Sequence, residues 1–88
     1  MIEVNYSEKA AKQLRKIFKT NSNDAKRIFE GIENYANYPE LKHDIKQLKG
    51  KWGDFKRLRI ADYRVIFDNE NNIMLIYEIK FRKDAYND

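Results

Sequence analysis

The stretch FKRLRIADYRVIFD, Phe55 to Asp68, decides the fold. Apolar and polar residues alternate along it with the period of two that is typical of β-strands, and a break falls near its middle. The pattern predicts two strands joined by a tight turn. In the first strand, Leu58 and Ile60 share one face, while Arg57 and Arg59 share the other. We therefore predict a β-hairpin with one apolar face for the core and one arginine-bearing face for anions.

One strand and two helices are predicted before this hairpin. Residues 2, 4 and 6 are apolar and alternate with polar ones, which indicates a short opening strand. Apolar residues then recur at helical spacing in two segments separated by the polar linker Thr20 to Asn23. Ser7 is the expected N-cap of the first helix, and Asn23 or Ser22 that of the second. Pro39 ends the second helix, because the residue before a proline avoids helical geometry.

The segment from Glu40 to Trp52 allows two interpretations, a short helical turn or a strand that begins at Leu48. Asn69 to Asn72 predicts a second turn, and Ile73 to Phe81 the last strand. Strict alternation divides that strand into two faces: Ile73, Leu75, Tyr77 and Ile79 on one, and Met74, Ile76, Glu78, Lys80 and Arg82 on the other.

The resulting order is β-α-α-β-β-β, which defines an α+β fold. We predict a single domain over residues 1–88, with an N-terminal helical hairpin packed on a mostly antiparallel four-stranded sheet. The sequence has no cysteine, no signal-peptide start and no apolar run near the ~20 residues that cross a bilayer. We therefore expect a cytoplasmic protein without metal, cofactor or membrane contact.

Positive charge is concentrated around the hairpin. The chain has a formal net charge of +4, yet residues 42–64 carry eight Lys or Arg against three Asp, a net of +5. The rest of the chain has a net charge of −1. Such a local field favours a phosphate backbone or an acidic protein partner.

Four motifs occur in an order that resembles the RelE/ParE toxin superfamily. They are Leu48-Lys49-Gly50, Arg57-Leu58-Arg59, DYRVIF at 62–67 and FRKDAY at 81–86. The resemblance implies a toxin of a type II toxin–antitoxin system, with a cognate antitoxin as its partner. In the RelE branch such toxins act with the ribosome and cleave mRNA, whereas in the ParE branch they poison DNA gyrase. A non-catalytic member that only binds its antitoxin or RNA is a third reading.

The same resemblance implies site residues. Arg57, Arg64, Arg82 and Tyr86 match positions that carry catalysis in RelE-type enzymes, while Phe81 stands where many relatives have histidine. Further cations expected to bind the substrate are Lys49, Lys51, Lys56, Arg59 and Lys80.

Cleavage of RNA without a metal requires attack by a 2′-OH, stabilisation of the resulting anion and transfer of two protons. Guanidinium groups suit the anion because they match phosphate oxygens, but they stay charged and cannot act as the base. We expect Arg64 and Arg82 to hold the phosphate. Lys56, Lys80 or Tyr86 could exchange protons, and we favour Tyr86 as a proton donor or base-stacking group.

A purely structural role is the alternative for the arginines of the first strand. Arg57 and Arg59 could pair with Asp54, Asp62 or Glu78 and only stabilise the sheet.

Overall fold

Two helices pack on one face of a five-stranded sheet in the computed structural model, which describes residues 1–48 and 55–81. The elements in chain order are β1 (Glu3–Tyr6), α1 (Glu8–Thr20), α2 (Ser22–Asn37), β2 (Ile45–Gln47), β3 (Lys56–Ile60), β4 (Tyr63–Glu70) and β5 (Ile73–Phe81). The strand order across the sheet is β1-β5-β4-β3-β2. Strand β1 runs parallel to β5, and the other neighbours are antiparallel. The predicted α+β class is therefore confirmed.

The predicted count of four strands is wrong, because β2 forms a fifth strand. It is only three residues long and pairs with β3, with Ile45 opposite Leu58. Three residues are too few to show an alternating pattern, so long-range pairing with β3 defines this strand. One interpretation of the segment from Glu40 to Trp52 did include a strand, but it began that strand at Leu48, directly after the residues that form β2.

Each helix begins at a side-chain cap. The Ser7 hydroxyl oxygen accepts from the Ala10 N–H at 3.0 Å and donates to the Tyr77 carbonyl at 2.8 Å, so it also ties α1 to β5. For α2 the cap is Asn21, whose side-chain oxygen accepts from the Asp24 N–H at 3.2 Å. The prediction of Ser7 is thus confirmed, whereas the predicted second cap lies one or two residues too late. No helix in the described ranges is long and apolar enough to span a bilayer.

The core lies between the helices and one face of the sheet. Its most deeply buried large side chains include Ile28 and Ile32 of α2, Phe67 of β4, and Met74 and Ile76 of β5. Burial of this apolar surface is the main force that holds the two layers together.

The division of the last strand into two uniform faces is wrong. Ile66 pairs with Glu78, but the next residue, Phe67, pairs with Ile76, so Tyr77 is an extra residue in β5. A bulge of this kind reverses the alternation along a strand. Met74, Ile76 and Ile79 consequently all belong to the buried core.

Tyr6 places a phenol group in the interior. Its hydroxyl is buried and has no hydrogen-bond partner among the described residues. Burial, with a smaller contribution from the nearby negative charge of Glu33, raises the pKa of Tyr6 to about 12. The folded state therefore keeps this proton at pH values where an exposed tyrosine ionises.

We predict that Tyr6→Phe removes part of the protein's sensitivity to alkali. Between pH 10 and about 12 the unfolded state has lost the Tyr6 proton and the folded state has kept it, so wild-type stability falls as pH rises. The variant should gain on the order of 1–2 kcal/mol over the wild type across this range, which is less than the whole pKa shift implies because the Tyr6 residue is only partly buried. Urea unfolding followed by circular dichroism measures this gain, with the exposed Tyr38→Phe as control. Parallel pH profiles for wild type and Tyr6→Phe would contradict it.

Candidate functional site

Three cationic residues lie side by side on the sheet face that points away from the helices. Arg59 of β3 is directly opposite Arg64 of β4, and Arg64 is opposite Lys80 of β5. Adjacent strands are about 4.8 Å apart, so the three backbones span about 10 Å. We call these three residues the cationic row. Arg59 is exposed, and the other two are half-buried, so the row is open to solvent at one end and supported by packing at the other.

A buried carboxylate lies at the inner end of the cationic row. One Glu78 side-chain oxygen is 2.6 Å from the Lys9 ammonium of α1 and 3.7 Å from that of Lys80. The Glu78 residue is only 7% exposed, so this charge depends on both ammonium groups. The carboxylate offsets part of the repulsion within the row, and the site retains a net positive charge.

Arg57 occupies the neighbouring row of the same face, opposite Ile66. It is 8% exposed, and its Nη1 donates to the Asp44 carboxylate at 2.9 Å and to the Asp44 carbonyl at 3.4 Å. The structural alternative for this residue named other carboxylates, and the contact to Asp44 joins β3 to the residue just before β2. Arg57 therefore has a compensating partner and a clear structural role, while its predicted part in catalysis stays a prediction.

The other predicted residues are not all brought to the cationic row. Lys56 is in register with Phe67, which in turn pairs with Ile76, so its strand position belongs to the helix-facing side. Lys49, Lys51, Arg82 and Tyr86 lie outside the described residues, and their roles remain predictions. Phe81, in the position that many relatives fill with histidine, packs edge-on against the ring of Tyr63 at 5.3 Å.

An aromatic pair lies on the open face beyond Arg57. The rings of Phe55 and Tyr77 meet edge-on with their centroids 4.5 Å apart, and both residues are half-buried. The bulge in β5 places Tyr77 there. Aromatic rings beside cations form a surface of the kind that binds single-stranded nucleic acid.

Sequence reasoning missed two residues that shape this region, Lys9 and Asp44, and it expected Glu78 to pair with Arg57 or Arg59, whereas its ion pairs here are with Lys9 and Lys80. Glu78 is two residues from Lys80 in a strand, and that spacing is the one signal the sequence offered. Lys9 lies on α1, and Asp44 lies in the segment just before β2. Both contact the sheet only because of how these segments are arranged in three dimensions. Within residues 1–48 and 55–81, no three His, Asp or Glu side chains come together as metal ligands.

Comparison with known proteins agrees with this fold. Residues 4–86 match the family described as the ParE toxin of the type II toxin–antitoxin system parDE. A search of curated proteins gives no match. Because the family match spans almost the whole chain, this protein belongs to the ParE toxin family, within the RelE/ParE superfamily indicated by its motifs.

Solved structures of toxin–antitoxin complexes share the architecture. The archaeal RelE–RelB complex from Pyrococcus horikoshii is 28% identical, with a TM-score of 0.68 over 96% of this chain and 98% of that one. The RelB–RelE complex from Methanococcus jannaschii is 25% identical, with a TM-score of 0.69 over 89% of each chain. The YoeB–YefM complex from Staphylococcus aureus is 18% identical and shows the fold alone, with a TM-score of 0.76 over 98% of this chain and 99% of that one.

We predict that Asp44→Ala destabilises the fold by about 1–2 kcal/mol, because it removes a carboxylate that accepts a hydrogen bond from the buried Arg57 guanidinium. This loss of stability is smaller than the loss expected for a fully buried ion pair, since the Asp44 side chain is 56% exposed. Urea unfolding at neutral pH measures the change. Glu40→Ala, which removes an exposed acid nearby, is the control, and equal stability of the two variants would refute the role of the Arg57–Asp44 pair.

Proposed function

We propose that this protein is the toxin of a type II toxin–antitoxin system and acts as a ribosome-dependent mRNA endonuclease. The observation that carries the proposal is the cationic row on the open face of the sheet. Family membership supports the toxin role, and the similarity to two RelE proteins at 25% and 28% identity supports the RelE-type activity.

The cationic row suits the electrostatic part of RNA cleavage. When a 2′-OH attacks the adjacent phosphate, negative charge builds up on the phosphate oxygens. Arg64 is central in the row, so its guanidinium can face those oxygens while Arg59 and Lys80 hold the flanking backbone. Lys80 is held by Glu78, which limits the side-chain entropy lost when RNA binds.

Proton transfer falls to groups other than the arginines, because a guanidinium does not give up its proton at physiological pH. Phe81 cannot take the part of the histidine found in many relatives. We assign proton donation, or stacking on a base, to Tyr86, and we assign Arg82 to binding the phosphate together with Arg64. In this proposal the row binds and stabilises the anion, and the C-terminal residues complete the reaction.

Inhibition of DNA gyrase is the second candidate function. It is favoured by the match to the ParE family and by phenylalanine at position 81, which removes histidine acid–base chemistry from that position. In that role the cationic row would serve for binding alone, and the protein would need no group for proton transfer. A member that binds its antitoxin or RNA without cutting is the third.

A cognate antitoxin is the proposed protein partner. The similar RelE proteins were solved as complexes with RelB, and the S. aureus YoeB as a complex with YefM. For this chain we propose that a partly acidic antitoxin segment covers the cationic row or the adjoining sheet edge. Covering the row would block access of RNA to Arg64.

We predict that Arg64→Ala lowers mRNA cleavage by about 10²–10³-fold, the usual cost of losing one group that stabilises a developing anion. The test is induction of the protein in bacteria followed by mapping of mRNA 5′ ends. Arg27→Ala, which removes an exposed arginine on α2, is the matched control and should cleave like the wild type. New 5′ ends within codons support the proposal. Intact transcripts together with DNA-damage signalling would instead identify gyrase as the target, and harmless expression would indicate a non-catalytic member.

We also predict that Arg59→Glu weakens antitoxin binding at least about tenfold, because it places a negative charge in the row that an acidic segment covers. Calorimetry with the purified antitoxin measures the affinity, and Arg27→Glu makes the same charge change on the helical layer as a control. Equal affinities for the two variants would show that the antitoxin binds elsewhere.

A further inference from the structure

Helix α1 covers the edge of β5 at the point where β1 ends. Strand β1 pairs with β5 only as far as Ile76. Farther along β5, the Ile79 N–H points to this edge and donates to the side-chain oxygen of Gln13 on α1, at 2.7 Å. Lys80 of the cationic row is the next residue of β5, so the start of α1 lies directly beside one end of the row.

A group of three charged side chains connects the row to α1. The ammonium groups of Lys9 and Lys80 contact the same Glu78 oxygen, at 2.6 Å and 3.7 Å. The Glu78 side chain is 9% exposed and the Lys9 side chain is 64% exposed, so the carboxylate is enclosed while Lys9 lies on the surface. Two positive charges share one negative charge here, and the positive potential of the row therefore continues onto α1.

Four exposed lysines follow one another along a single side of α1. They are spaced by three, four and three residues, which places them on the same face of a helix, and they extend over about 15 Å of its axis. We call them the lysine track: Lys9, Lys12, Lys16 and Lys19. Lys12 is 3.6 Å from Glu8, but both side chains of this pair are well exposed, so another anion can replace the Glu8 carboxylate at little cost.

The composition of the lysine track favours a phosphate backbone over a protein or a membrane. Lysine is depleted in protein–protein interfaces, whereas it is a usual contact of phosphate groups. The lysines recur about every 5 Å along the axis, and the phosphates of one nucleic-acid strand are about 3.4 Å apart or more, so successive lysines can neutralise successive phosphates. The apolar side of α1, with Ala10, Leu14 and Ile17, packs on the core, so it does not face outwards for insertion into lipid.

We propose that the lysine track extends the cationic row into one continuous binding site for single-stranded RNA. The strand crosses the row, passes over the edge of β5 at Lys9 and continues along α1. At this edge it can occupy a hollow of about 640 Å³, which is lined by Glu8, Lys9, Lys12 and Gln13. The row holds the phosphate at which cleavage is proposed, and the track fixes the direction in which the strand leaves it. This inference rests on the proposed function for its ligand, RNA, but binding along the track does not require cleavage.

The test is fluorescence anisotropy of the purified protein with two labelled oligouridine RNAs, of four and of twelve nucleotides. At about 3.4 Å or more per nucleotide, the shorter RNA covers the row, and the longer RNA covers the row and the track together. A variant with Lys12→Gln and Lys16→Gln should bind the longer RNA about tenfold more weakly in about 50 mM salt and the shorter RNA like the wild type. The slope of log affinity against log salt concentration should become shallower by about 1.4, because each phosphate neutralised on a single strand contributes about 0.7.

A matched variant on the other helix controls for the loss of charge. Lys26→Gln with Arg27→Gln removes two exposed cations from α2 and should bind both RNAs like the wild type, and circular dichroism verifies that each variant is folded. Equal losses of affinity in the two double variants would show that the net charge of the chain determines binding, and they would overturn the proposal. Unchanged affinity of the α1 variant, or no binding of the longer RNA by the wild type, would overturn it as well.

The lysine track and the nuclease proposal can fail separately. If Arg64→Ala abolishes mRNA cleavage while the α1 variant binds the longer RNA like the wild type, the nuclease proposal stands and the track is overturned. If transcripts stay intact in cells but the α1 variant loses affinity for the longer RNA, the track stands and the nuclease proposal is refuted. An α1 variant that binds RNA normally but binds the antitoxin more weakly would assign the track to the antitoxin and overturn the proposal.

Discussion

The pairing register of β3, β4 and β5 is the constraint on which the rest of the structure depends. Between Ile66 and Phe67 this register shifts by one residue, and Tyr77 is the extra residue in β5. Had the pairing of Phe67 with Ile76 continued unchanged along the strands, Ile79 would lie opposite Arg64, and Lys80 would turn towards the core. The bulge therefore serves the core and the cationic row together, because it lets Met74, Ile76 and Ile79 be buried while Lys80 stays beside Arg64.

Holding like charges side by side has a cost that the fold offsets locally. Glu78 bridges Lys80 and Lys9, and Asp44 compensates Arg57 in the adjacent row. Both carboxylates also connect elements: Glu78 joins β5 to α1, and Asp44 joins β3 to the start of β2. Ion pairs of this kind fix the positions of their side chains more than they stabilise the fold, because the cost of removing both ions from water cancels much of their attraction. The two carboxylates neutralise only part of the positive charge, so the cationic row keeps an excess of it. They also connect the strands of the row to neighbouring elements.

The hairpin could be predicted from the sequence because its information is local. Alternation from Phe55 to Asp68 and a turn at Ala61, where φ is +52°, determine both strands and the position of Arg59 opposite Arg64. The two helices followed from periodicity for the same reason. Strand β2, the bulge at Tyr77 and the partner of Arg57 could not be predicted, since each depends on contacts between residues distant in sequence. Phe18 and Phe29 show a related limit. Both lie at apolar positions of the helical repeat, yet they are 59% and 50% exposed, because periodicity does not say whether another layer covers the edge of an apolar stripe.

Stabilising an anion and transferring a proton require different chemical groups, and this difference bears on the two candidate targets of this chain. Arg59, Arg64 and Lys80 form a row of cations that contains no histidine, and a guanidinium can stabilise charge but not accept a proton. A toxin that keeps such a row can therefore change target or lose catalysis while it still binds a polyanion or an acidic antitoxin. The cationic row is therefore the surface that we propose for the antitoxin under every candidate function, whereas the proposed chemistry depends on residues at and beyond position 81.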